Sequence, residues 1–577
     1  MRDVIFINPP NHNRVPALPI GIGYLNQILV DGGMDSAIID IQHKVASGLL
    51  ELNGDFFGEV KTLLSGAPAK IYGITVMNAS YVWAVRISEI VKELFPEAVV
   101  ILGGPQATLA NGAILKSCKT VDFLCVYEGE KVILDFVKWV KGGGGGKPPA
   151  NNIWFRNTNN EIEHTPNEPL IKDLDSLPLI NFDANEYADV RNIGLDVGRG
   201  CAYDCCFCST NQAWQRTPRF KSPGKIAAEA EYYYRNFKGT KRPTIHFEHD
   251  NFISRKDVLR DLVKIKKAHG LSFEYACSSR IDTIDDEIIE LLASSACKNI
   301  FFGIETGSQR IQKIMGKNLD LKKVMPMIRK LISRKILVEV NFIIGFPEET
   351  YEEMCQTLDL MSEIQWENAR VGLSIISPEP MSRLALTTPV SDYLLVKDTL
   401  FLRDMTATGI DPLALEPELH NHIYTIAGKN YDTLEVAALS TFYLHILKSA
   451  PMSMLALRKN LGVTAKDVLN DIRGYMGKGK PLSNNSDSAT GFFAEAYASH
   501  LSANGSFFGE FLRYEIIRTA YINDAELTSE KTQPADFNWG FNEIYLAVLK
   551  DKELLSASAS FPRRKTRIAF GKRHKNG

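Results

Sequence analysis

The first quarter of the chain alternates short apolar runs with longer amphipathic stretches. The runs are VIFIN, SAIIDI, IYGITV, AVVILGG and FLCVYEGE, and the stretches between them include GIGYLNQILVDGG and ASYVWAVRISEIVKELFP. Continuous apolar runs flanked by helices are typical of parallel strands that are covered on both faces. The pattern predicts a doubly wound, Rossmann-like α/β domain over residues 1–145.

A glycine run, KGGGGGKPP, follows at residues 141–149. Such a run cannot hold regular structure, so it indicates a flexible loop. The loop lies either at a domain edge or inside one domain, and we place a linker at residues 146–190.

A second alternation of strands and helices begins near Gly194. Its strand candidates are GLDVGRG, PTIHFEHD, SFEYACSS, NIFFGIE, LVEVNFIIGF and ARVGLSIISP. These units are fewer than a complete βα barrel needs. The sequence therefore predicts a partial (βα)6 barrel over residues 191–385, and the helical patterns beyond it predict a mainly α domain over residues 386–577.

Composition and charge narrow the class of protein. Of 577 residues, 45% are hydrophobic and 23% charged, values of an ordinary globular protein, and the net charge is only −2. This balance gives no general electrostatic affinity for nucleic acid or for an anionic membrane. The N-terminus lacks the features of a signal peptide and no run is long enough to span a membrane, so we expect a cytoplasmic protein.

The nine cysteines fall into two groups. Five lie scattered in apolar surroundings, which indicates small buried side chains in a reducing compartment: Cys118, Cys125, Cys277, Cys297 and Cys355. The other four are concentrated in the stretch DVGRGCAYDCCFCST at residues 196–210.

In that stretch Cys201, Cys205 and Cys208 form a C-x-x-x-C-x-x-C motif, with Cys206 as an extra thiol. Three thiolates this close favour a soft metal centre, because a disulfide would use two and leave the third. A four-iron cluster normally takes four cysteines, so three would leave one iron open to a small molecule. The alternatives are unliganded thiols or a zinc site, although zinc would be expected to use a second C-x-x-C pair, which the chain lacks.

The run RGCAYDCCFCS resembles the signature of the radical S-adenosylmethionine (SAM) superfamily, including the aromatic Phe207 before the last cysteine. The resemblance implies a [4Fe-4S] cluster on Cys201, Cys205 and Cys208, whose open iron binds the amino and carboxylate groups of SAM. One-electron reduction would then yield methionine and a 5′-deoxyadenosyl radical. It also implies an external one-electron reductant of the flavodoxin or ferredoxin type.

Three further segments are similar to SAM-binding segments of that superfamily. FFGIETGSQ places Glu305 at the ribose hydroxyls with Ser308 nearby, VNFIIGFPEET brings the backbone of Gly345 to the adenine side, and FEYACSSRID offers Arg280 to the SAM carboxylate. A solvated surface role for Glu305 and a structural salt bridge for Arg280 are the alternatives.

The strand HFEHDNFI ends in polar residues. His246, Glu248, His249 and Asp250 lie where a barrel strand ends, which is where active sites occur in such folds. Helix capping by Asp250 or Asn251 is the alternative. The sequence assigns no individual catalytic residue.

The loops of the first domain contain INPPNHNRVPALPIGIGYL, YGITVMNASY, VVILGGPQAT and VYEGE. In this order they resemble the cobalamin-binding domain of a large radical SAM subfamily, and a doubly wound sheet offers a ligand crevice at the ends of its strands. The resemblance implies cobalamin contacts at Pro9, Leu18, Gly21, Met77, Asn78, Gly103, Gly104, Pro105, Gln106, Glu128 and Gly129.

One cobalamin motif is missing. The D-x-H-x-x-G pattern that supplies a histidine ligand to cobalt in other cobalamin domains does not occur, so Met77 and Asn78 are expected to face the lower side of the corrin. His12 is either an axial ligand or an exposed loop residue. A first domain that is empty or binds another partner is the remaining alternative.

Two later stretches are less specific. WQRTPRFKSP follows the cysteine loop, and its Arg216 and Arg219 either contact the corrin or lie at the surface. ISPEPMSRL resembles the end of the family's barrel, except that Met381 replaces the glycine often found there.

The combined resemblance implies a cobalamin-dependent radical SAM methyltransferase of the class B type. Such an enzyme methylates an unactivated carbon of a secondary metabolite or peptide through methylcobalamin and a 5′-deoxyadenosyl radical. Phosphorus methylation, ring contraction and cyclisation are alternatives within the subfamily.

Two other functions explain less of the sequence. A methylthiotransferase would carry more cysteines in its first domain and a C-terminal β-barrel. A cluster- or cobalamin-based sensor would use the basic tail FPRRKTRIAFGKRHKNG, residues 561–577, to bind nucleic acid.

Overall fold

The computed structural model describes residues 1–11, 14–237, 243–396 and 399–477, together with 492–493, 496–497, 515, 535–537 and 566–568. Two compact units are present. The first comprises Met1–Gly303, Gln312–Glu339 and Ile376–Ala427, and the second comprises Ile304–Ile311, Val340–Ile375 and Gly428–Gly577. His12 and the basic tail, apart from residues 566–568, lie outside the described residues.

The first sheet contains seven strands: β1 (Arg2–Asn8), β2 (Ser36–Asp40), β3 (Ala69–Thr75), β4 (Val99–Gly103), β5 (Phe123–Cys125), β6 (Ile153–Arg156) and β7 (Ile162–His164). Their order is β2-β1-β3-β4-β5-β6-β7. The first five pair in parallel, and β6 and β7 are added antiparallel at one edge. The order 2-1-3-4-5 is that of a doubly wound fold, whose ligand crevice lies where the strand order reverses. Strands β6 and β7 come from the stretch in which only a linker was predicted.

Helices cover both faces of this sheet. They are α1 (Ile20–Asp31), α2 (Ile41–Ala46), α3 (Phe56–Ser65), α4 (Tyr81–Leu94), α5 (Pro105–Ser117) and α6 (Ile133–Lys141). In β1, Ile5 and Ile7 join the core on one face, while Val4 and Phe6 join the core on the other. Burial on both faces explains why the strand is a continuous apolar run.

The second sheet contains six strands: β8 (Asn192–Asp196), β11 (Thr244–Glu248), β12 (Tyr275–Ser279), β13 (Cys297–Glu305), β14 (Leu337–Ile344) and β15 (Arg370–Ile375). Their order is β15-β14-β13-β12-β11-β8, and β8, β11, β12 and β13 pair in parallel. A short antiparallel pair, β9 (Gly198–Arg199) and β10 (Arg219–Phe220), flanks the cysteine loop. An open sheet of six strands is the partial barrel that the sequence predicts.

Helices follow the strands of this sheet in alternation: α7 (Thr210–Ala213), α8 (Pro223–Asn236), α9 (Lys256–Ala268), α10 (Asp286–Ser294), α11 (Gln309–Ile314), α12 (Val324–Ser333), α13 (Tyr351–Trp366) and α14 (Arg383–Thr387). The start of α13 shows how the sequence sets a boundary. The Thr350 hydroxyl accepts the Glu353 N–H, and the Glu353 carboxylate accepts the Thr350 N–H, which forms a capping box.

The described part of the C-terminal region is mainly helical, as predicted. Its helices are α15 (Leu400–Ala407), α16 (Thr433–Ser449), α17 (Pro451–Leu461) and α18 (Ala465–Met476). Two small antiparallel pairs accompany them: β16 (Tyr393–Leu395) with β17 (Tyr424–Ile426), and β18 (Ala535–Phe537) with β19 (Thr566–Ile568).

Short 3₁₀ helices connect several elements: Asn78–Ser80, Leu174–Ser176, Phe252–Ser254, Ile281–Thr283, Leu321–Lys323, Val390–Asp392, Pro412–Ala414 and Asn421–Ile423. Among the described helices, none is both long and apolar enough to cross a bilayer.

Candidate active site

The cysteine loop starts directly after β9. Cys201, Cys205 and Cys208 are half-buried free thiols, whereas Cys206 is buried. Gly200 makes the turn possible, because it has a φ of +91° and a Cβ there would lie 2.6 Å from the Thr217 carbonyl oxygen. The loop therefore leaves three thiols partly accessible and turns the fourth inward.

A zinc site and a four-iron cluster require different positions of the ligand thiols. Within the described part of the chain, no three or more His, Cys, Asp or Glu side chains are placed to hold one metal ion. A zinc ion would draw every sulfur ligand to about 2.3 Å from a single centre. A four-iron cluster takes each thiolate on a different iron, so its ligands stand farther apart. Three half-buried thiols in one loop offer the ligands that a [4Fe-4S] cluster with one open iron needs.

Burial also affects the ligand thiols. It raises the pKa of the Cys201 thiol, and a backbone hydrogen bond from Tyr203 acts in the opposite direction. A protonated thiol must release its proton when it binds iron, so cluster assembly is coupled to proton release.

Arg280, after β12, is buried beside this loop. Its Nε and Nη2 bond the Asp282 carboxylate at 3.0 and 2.8 Å, and Nη2 also donates to the Lys317 carbonyl oxygen at 2.7 Å. The guanidinium lies 3.8 Å from the centroid of the Tyr203 ring. Buried Nη1 has no hydrogen-bond partner among the described residues. Arg280 therefore forms a structural salt bridge with Asp282. Its Nη1 can still donate a hydrogen bond to a carboxylate.

Three other residues predicted for SAM lie in the second unit. Glu305, at the end of β13, is buried with a φ of +69°, a conformation that few non-glycine residues adopt. The Ser308 hydroxyl donates to Glu353 Oε1 at 2.7 Å, and the Gly345 N–H donates to Glu349 Oε2 at 2.8 Å. Burial raises the pKa of Glu349 to about 8. The Ser308 hydroxyl and the Gly345 N–H thus form hydrogen bonds that hold their own loops in shape.

A cavity of about 790 Å³ opens in the first unit, at the carboxyl ends of the strands of the first sheet. Nine residues predicted to contact cobalamin line it: Gly21, Met77, Asn78, Gly103, Gly104, Pro105, Gln106, Glu128 and Gly129. Pro9 and Leu18 are buried and do not lie on this wall.

The same wall includes residues of the cluster-bearing segment: Asp196, Gly198, Arg199, Ser209, Thr210, Trp214, Glu248, His249, Asp250 and Ser278. The cavity is therefore shared between the first α/β domain and the segment that carries the cysteines.

Glycines shape the wall of the cavity. Gly104 has a φ of +106°, and a Cβ there would lie 2.8 Å from the Val76 carbonyl oxygen. A Cβ on Gly21 would have no atom within 4 Å, so that position opens into free space. Met77 is 54% exposed although it is apolar. An open, glycine-lined and largely apolar wall suits a bulky organic cofactor.

Asn78 is held at both ends of its amide. Its Nδ2 donates to Glu379 Oε2 at 3.1 Å, and its Oδ1 accepts from His422 Nδ1 at 3.1 Å. Ser377 Oγ bonds the other oxygen of Glu379 at 3.2 Å, and burial raises the pKa of the Glu379 carboxyl. Neither Glu379 nor His422 was predicted, because each lies more than 300 positions from Asn78 in the sequence.

A buried ion network connects the loop after β5 with the strands around the cysteine loop. Arg199 contacts Glu128, Glu130 and Asp196 at 2.7–2.9 Å, and Arg219 contacts Glu128 at 2.8 Å. All five side chains are at most 10% exposed. Both Glu128 oxygens are used, since Oε2 also accepts the Ile171 N–H at 2.6 Å. The network holds the two parts of the cavity wall together.

The two arginines of the stretch after the cysteine loop have different environments. Arg219 is buried in the ion network and does not line the cavity. Arg216 is half-exposed and donates to the Ala202 carbonyl oxygen at 3.3 Å.

Removing the central charge of the network should destabilise the fold. In Glu128→Gln, Arg199 and Arg219 remain buried without that carboxylate, and we expect the free energy of unfolding to fall by about 3–5 kcal/mol. Urea denaturation measures the change. In the exposed Lys61–Glu93 pair, Glu93→Gln should have a much smaller effect, because water screens the charges. Equal effects of the two substitutions would contradict a structural role for the network.

His249, directly after β11, is a neutral side chain on the cavity wall. Its Nδ1 accepts the Asn251 N–H at 2.8 Å, so the ring hydrogen is on Nε2. The ring stacks on Phe220 with centroids 4.1 Å apart, and burial lowers its pKa to about 4. Gly198 makes room for it, because a Cβ there would lie 2.7 Å from His249 Cδ2.

The lowered pKa of His249 predicts a pH dependence of stability. Above pH 6.5 the residue is neutral in both the folded and the unfolded chain, so it has no effect. As the pH falls from 6.5 towards 4, the unfolded chain binds a proton that the folded chain rejects. Stability then decreases by up to about 1.4 kcal/mol per pH unit. His249→Phe should therefore show a flatter stability curve in this range, measured by urea denaturation, and an unchanged slope would contradict the lowered pKa.

Comparison with known proteins agrees with this geometry. Residues 195–361 match the model of the radical SAM superfamily. An uncharacterized methyltransferase of Pyrococcus horikoshii is 24% identical over 433 residues, which cover 71% of this chain and 90% of the relative. An anaerobic magnesium-protoporphyrin IX monomethyl ester cyclase of Rubrivivax gelatinosus is 25% identical over 402 residues, or 66% of this chain and 69% of the cyclase.

Among solved structures, the cobalamin-dependent SAM radical enzyme OxsB, with aqua-cobalamin and SAM bound, aligns with a TM-score of 0.60 at 15% identity. The alignment covers 97% of this chain and 81% of OxsB.

The three-cysteine loop, the open parallel sheet and the match over residues 195–361 define the class of this part of the chain: it is a radical SAM domain. Its cofactors accordingly include a [4Fe-4S] cluster and SAM. Within that class the chain has the multidomain fold of the cobalamin-dependent enzymes. The predicted class and fold are confirmed.

Proposed function

We propose that this enzyme is a cobalamin-dependent methyltransferase that acts on an unactivated carbon of a small metabolite or peptide. The supporting observation is one cavity whose wall combines the loops after β3, β4 and β5 with residues beside the cysteine loop. A methyl carrier and a radical source must both reach the same substrate atom, and one shared cavity provides this.

The residues of the chain have separate tasks in this proposal. Cys201, Cys205 and Cys208 would hold the cluster, and Nη1 of Arg280 would donate a hydrogen bond to the carboxylate of SAM. The Glu305 carboxylate would bind the ribose hydroxyls of SAM. When bound, the cluster supplies the electron that cleaves SAM, and cobalamin supplies a carrier that gives its methyl group to carbon.

The cavity wall positions and shields these reactants. Met77 and the glycine loops offer an apolar surface, and Asn78 is fixed in one orientation by Glu379 and His422. His249 stays neutral over the working pH range, so it adds no charge that would vary with pH. A fixed, largely apolar wall limits the side reactions of a reactive radical.

The reaction also needs partners from outside the chain. We propose a one-electron carrier protein as reductant, and a cytoplasmic setting. All nine cysteines are free thiols, which suits a reducing compartment.

A labelling experiment tests the proposed function. Protein reconstituted anaerobically with iron, sulfide and cobalamin is incubated with SAM that carries a CD3 group, a reductant and candidate metabolites. Methylation predicts a product that has gained the CD3 group, detected by mass spectrometry. A product that lacks deuterium but has lost two hydrogens would instead favour cyclisation, the reaction named for the Rubrivivax relative.

A further inference from the structure

Two segments of the first unit border the outer side of the cysteine loop. The Cys206 N–H donates to the Met315 carbonyl oxygen, and the Cys206 carbonyl oxygen accepts the Leu384 N–H, each at 2.9 Å. Gly316 approaches so closely that a Cβ on it would lie 3.0 Å from the Asp204 carbonyl oxygen. Side chains from both segments are thus direct neighbours of the loop that carries the cluster cysteines.

Basic side chains surround this part of the loop. Arg216 and Arg383 are 56% and 53% exposed, and their Nη1 atoms lie 3.7 and 3.4 Å from Asp204 Oδ2. Exposed Lys313 lies two residues before Met315. Asp204 can offset only one of these three charges, so this group of side chains on the rim of the loop has a net positive charge.

Apolar side chains are exposed beside the basic ones. Ile314, Met381 and Leu386 are 37%, 42% and 63% exposed. Met381 has a φ of +58°, a left-handed conformation that costs an L-residue roughly 1–2 kcal/mol and glycine almost nothing. The chain therefore keeps an exposed methionine at a position that favours glycine.

Exposed apolar side chains with basic residues at their edge are typical of a protein-binding surface. We define the carrier face as Arg216, Lys313, Ile314, Met381, Arg383 and Leu386. All of these residues except Arg216 lie on the two segments that bond Cys206, and none of the six lines the cavity.

We propose that the carrier face docks the acidic, ferredoxin- or flavodoxin-type protein that reduces the cluster. One electron leaves the reduced centre of the carrier and enters the cluster, and no atom or proton is transferred. Such encounters use small interfaces, in which complementary charge steers association. The inference rests on the radical SAM class and not on methyl transfer.

Charge complementarity favours this occupant over the chain's own tail. Residues 561–577 contain seven Lys or Arg and no acid, so the positive rim would repel them. An acidic carrier is attracted at short range, and the attraction should weaken as salt is added.

The first arm of the test measures binding. The full-length reconstituted protein is titrated with a purified acidic [4Fe-4S] ferredoxin at low ionic strength, and Kd is determined by calorimetry. We expect Lys313→Glu and Leu386→Asp each to raise Kd by about tenfold. Met381→Gly should also raise Kd, although it relieves backbone strain and so should not weaken the fold.

Matched control variants carry the same changes on other elements. Lys264→Glu alters a lysine of α9 that is 75% exposed, and Leu49→Asp alters a leucine after α2 that is 70% exposed. Both should bind ferredoxin as the unmodified protein does.

The second arm compares electron sources. With ferredoxin as reductant, 5′-deoxyadenosine formation by Lys313→Glu should be about tenfold slower, whereas with dithionite it should equal that of the unmodified protein. Binding is measured on every variant, so a variant with a damaged loop still reports on docking. Unchanged Kd values in Lys313→Glu, Met381→Gly and Leu386→Asp would overturn the proposal. Failure to methylate any substrate would not affect either arm.

Discussion

Alanine at Cys201, Cys205 or Cys208 is expected to abolish 5′-deoxyadenosine formation, whereas alanine at Cys206 is expected to preserve it. The first three thiols are half-buried on a glycine turn, where each can reach a separate iron. Loss of one ligand leaves a second iron without protein support, and we expect cleavage of SAM to fall by at least about 1,000-fold.

Cys206 provides the matched control within the same loop. Its thiol is buried and its backbone is bonded on both sides, so Cys206→Ala removes only a small packed side chain. The expected loss of stability is about 1–2 kcal/mol, with iron content unchanged. Iron analysis, absorption spectra and chromatography of 5′-deoxyadenosine measure these effects. An intact cluster in Cys205→Ala, or its loss in Cys206→Ala, would contradict the assignment.

Phenylalanine at Gly21 is expected to abolish cobalamin uptake without unfolding the protein. Gly21 lies in α1 on the cavity wall, and a Cβ there meets no atom within 4 Å. The added ring has room to extend into the cavity, where it would take the space of the cofactor. We expect the Kd for cobalamin to rise by about 100-fold or more.

Stability measurements separate blocked binding from misfolding. Glycine is a poor helix former, so Gly21→Phe should leave the melting temperature of the cofactor-free protein equal or slightly higher. Gly474→Phe is the control, since Gly474 lies in α18 with equally open space around its Cβ and does not line the cavity. Normal cobalamin uptake by Gly21→Phe would show that the cofactor binds elsewhere.

Local patterns in the sequence predict the two sheets well. Strands β1 to β5 are continuous apolar runs because both of their faces are covered, and such runs stand out from the helices between them. Strands β6 and β7 were not predicted. They are short strands added antiparallel beyond β5: β6 pairs with β5 and buries only Ile153 and Phe155, and β7 pairs with β6 and buries none of its three residues.

The support around the site depends on contacts between distant parts of the chain. Glu128 and Arg219 are 91 positions apart, and Asn78 and Glu379 are 301 positions apart. No local periodicity encodes such pairs, so the sequence indicates that these residues matter without indicating what they touch.

Several residues that the resemblance assigns to cofactors also support the protein itself. Ser308 bonds Glu353, and Gly345 bonds Glu349. A motif in the sequence does not distinguish a residue that touches a cofactor from one that shapes the loop around it. Substitution combined with direct measurement of binding makes that distinction.

The most direct test of the account follows both products of SAM in one anaerobic reaction without substrate. Protein that contains the cluster is given a reductant and SAM, with or without cobalamin, and S-adenosylhomocysteine and 5′-deoxyadenosine are quantified by mass spectrometry. SAM that gives its methyl group to cobalamin becomes S-adenosylhomocysteine, whereas SAM cleaved at the cluster yields 5′-deoxyadenosine. The account therefore predicts roughly one equivalent of S-adenosylhomocysteine per bound cobalamin, none without cobalamin, and 5′-deoxyadenosine in both cases. If S-adenosylhomocysteine is absent, or forms equally without cobalamin, the proposed methyl transfer is contradicted.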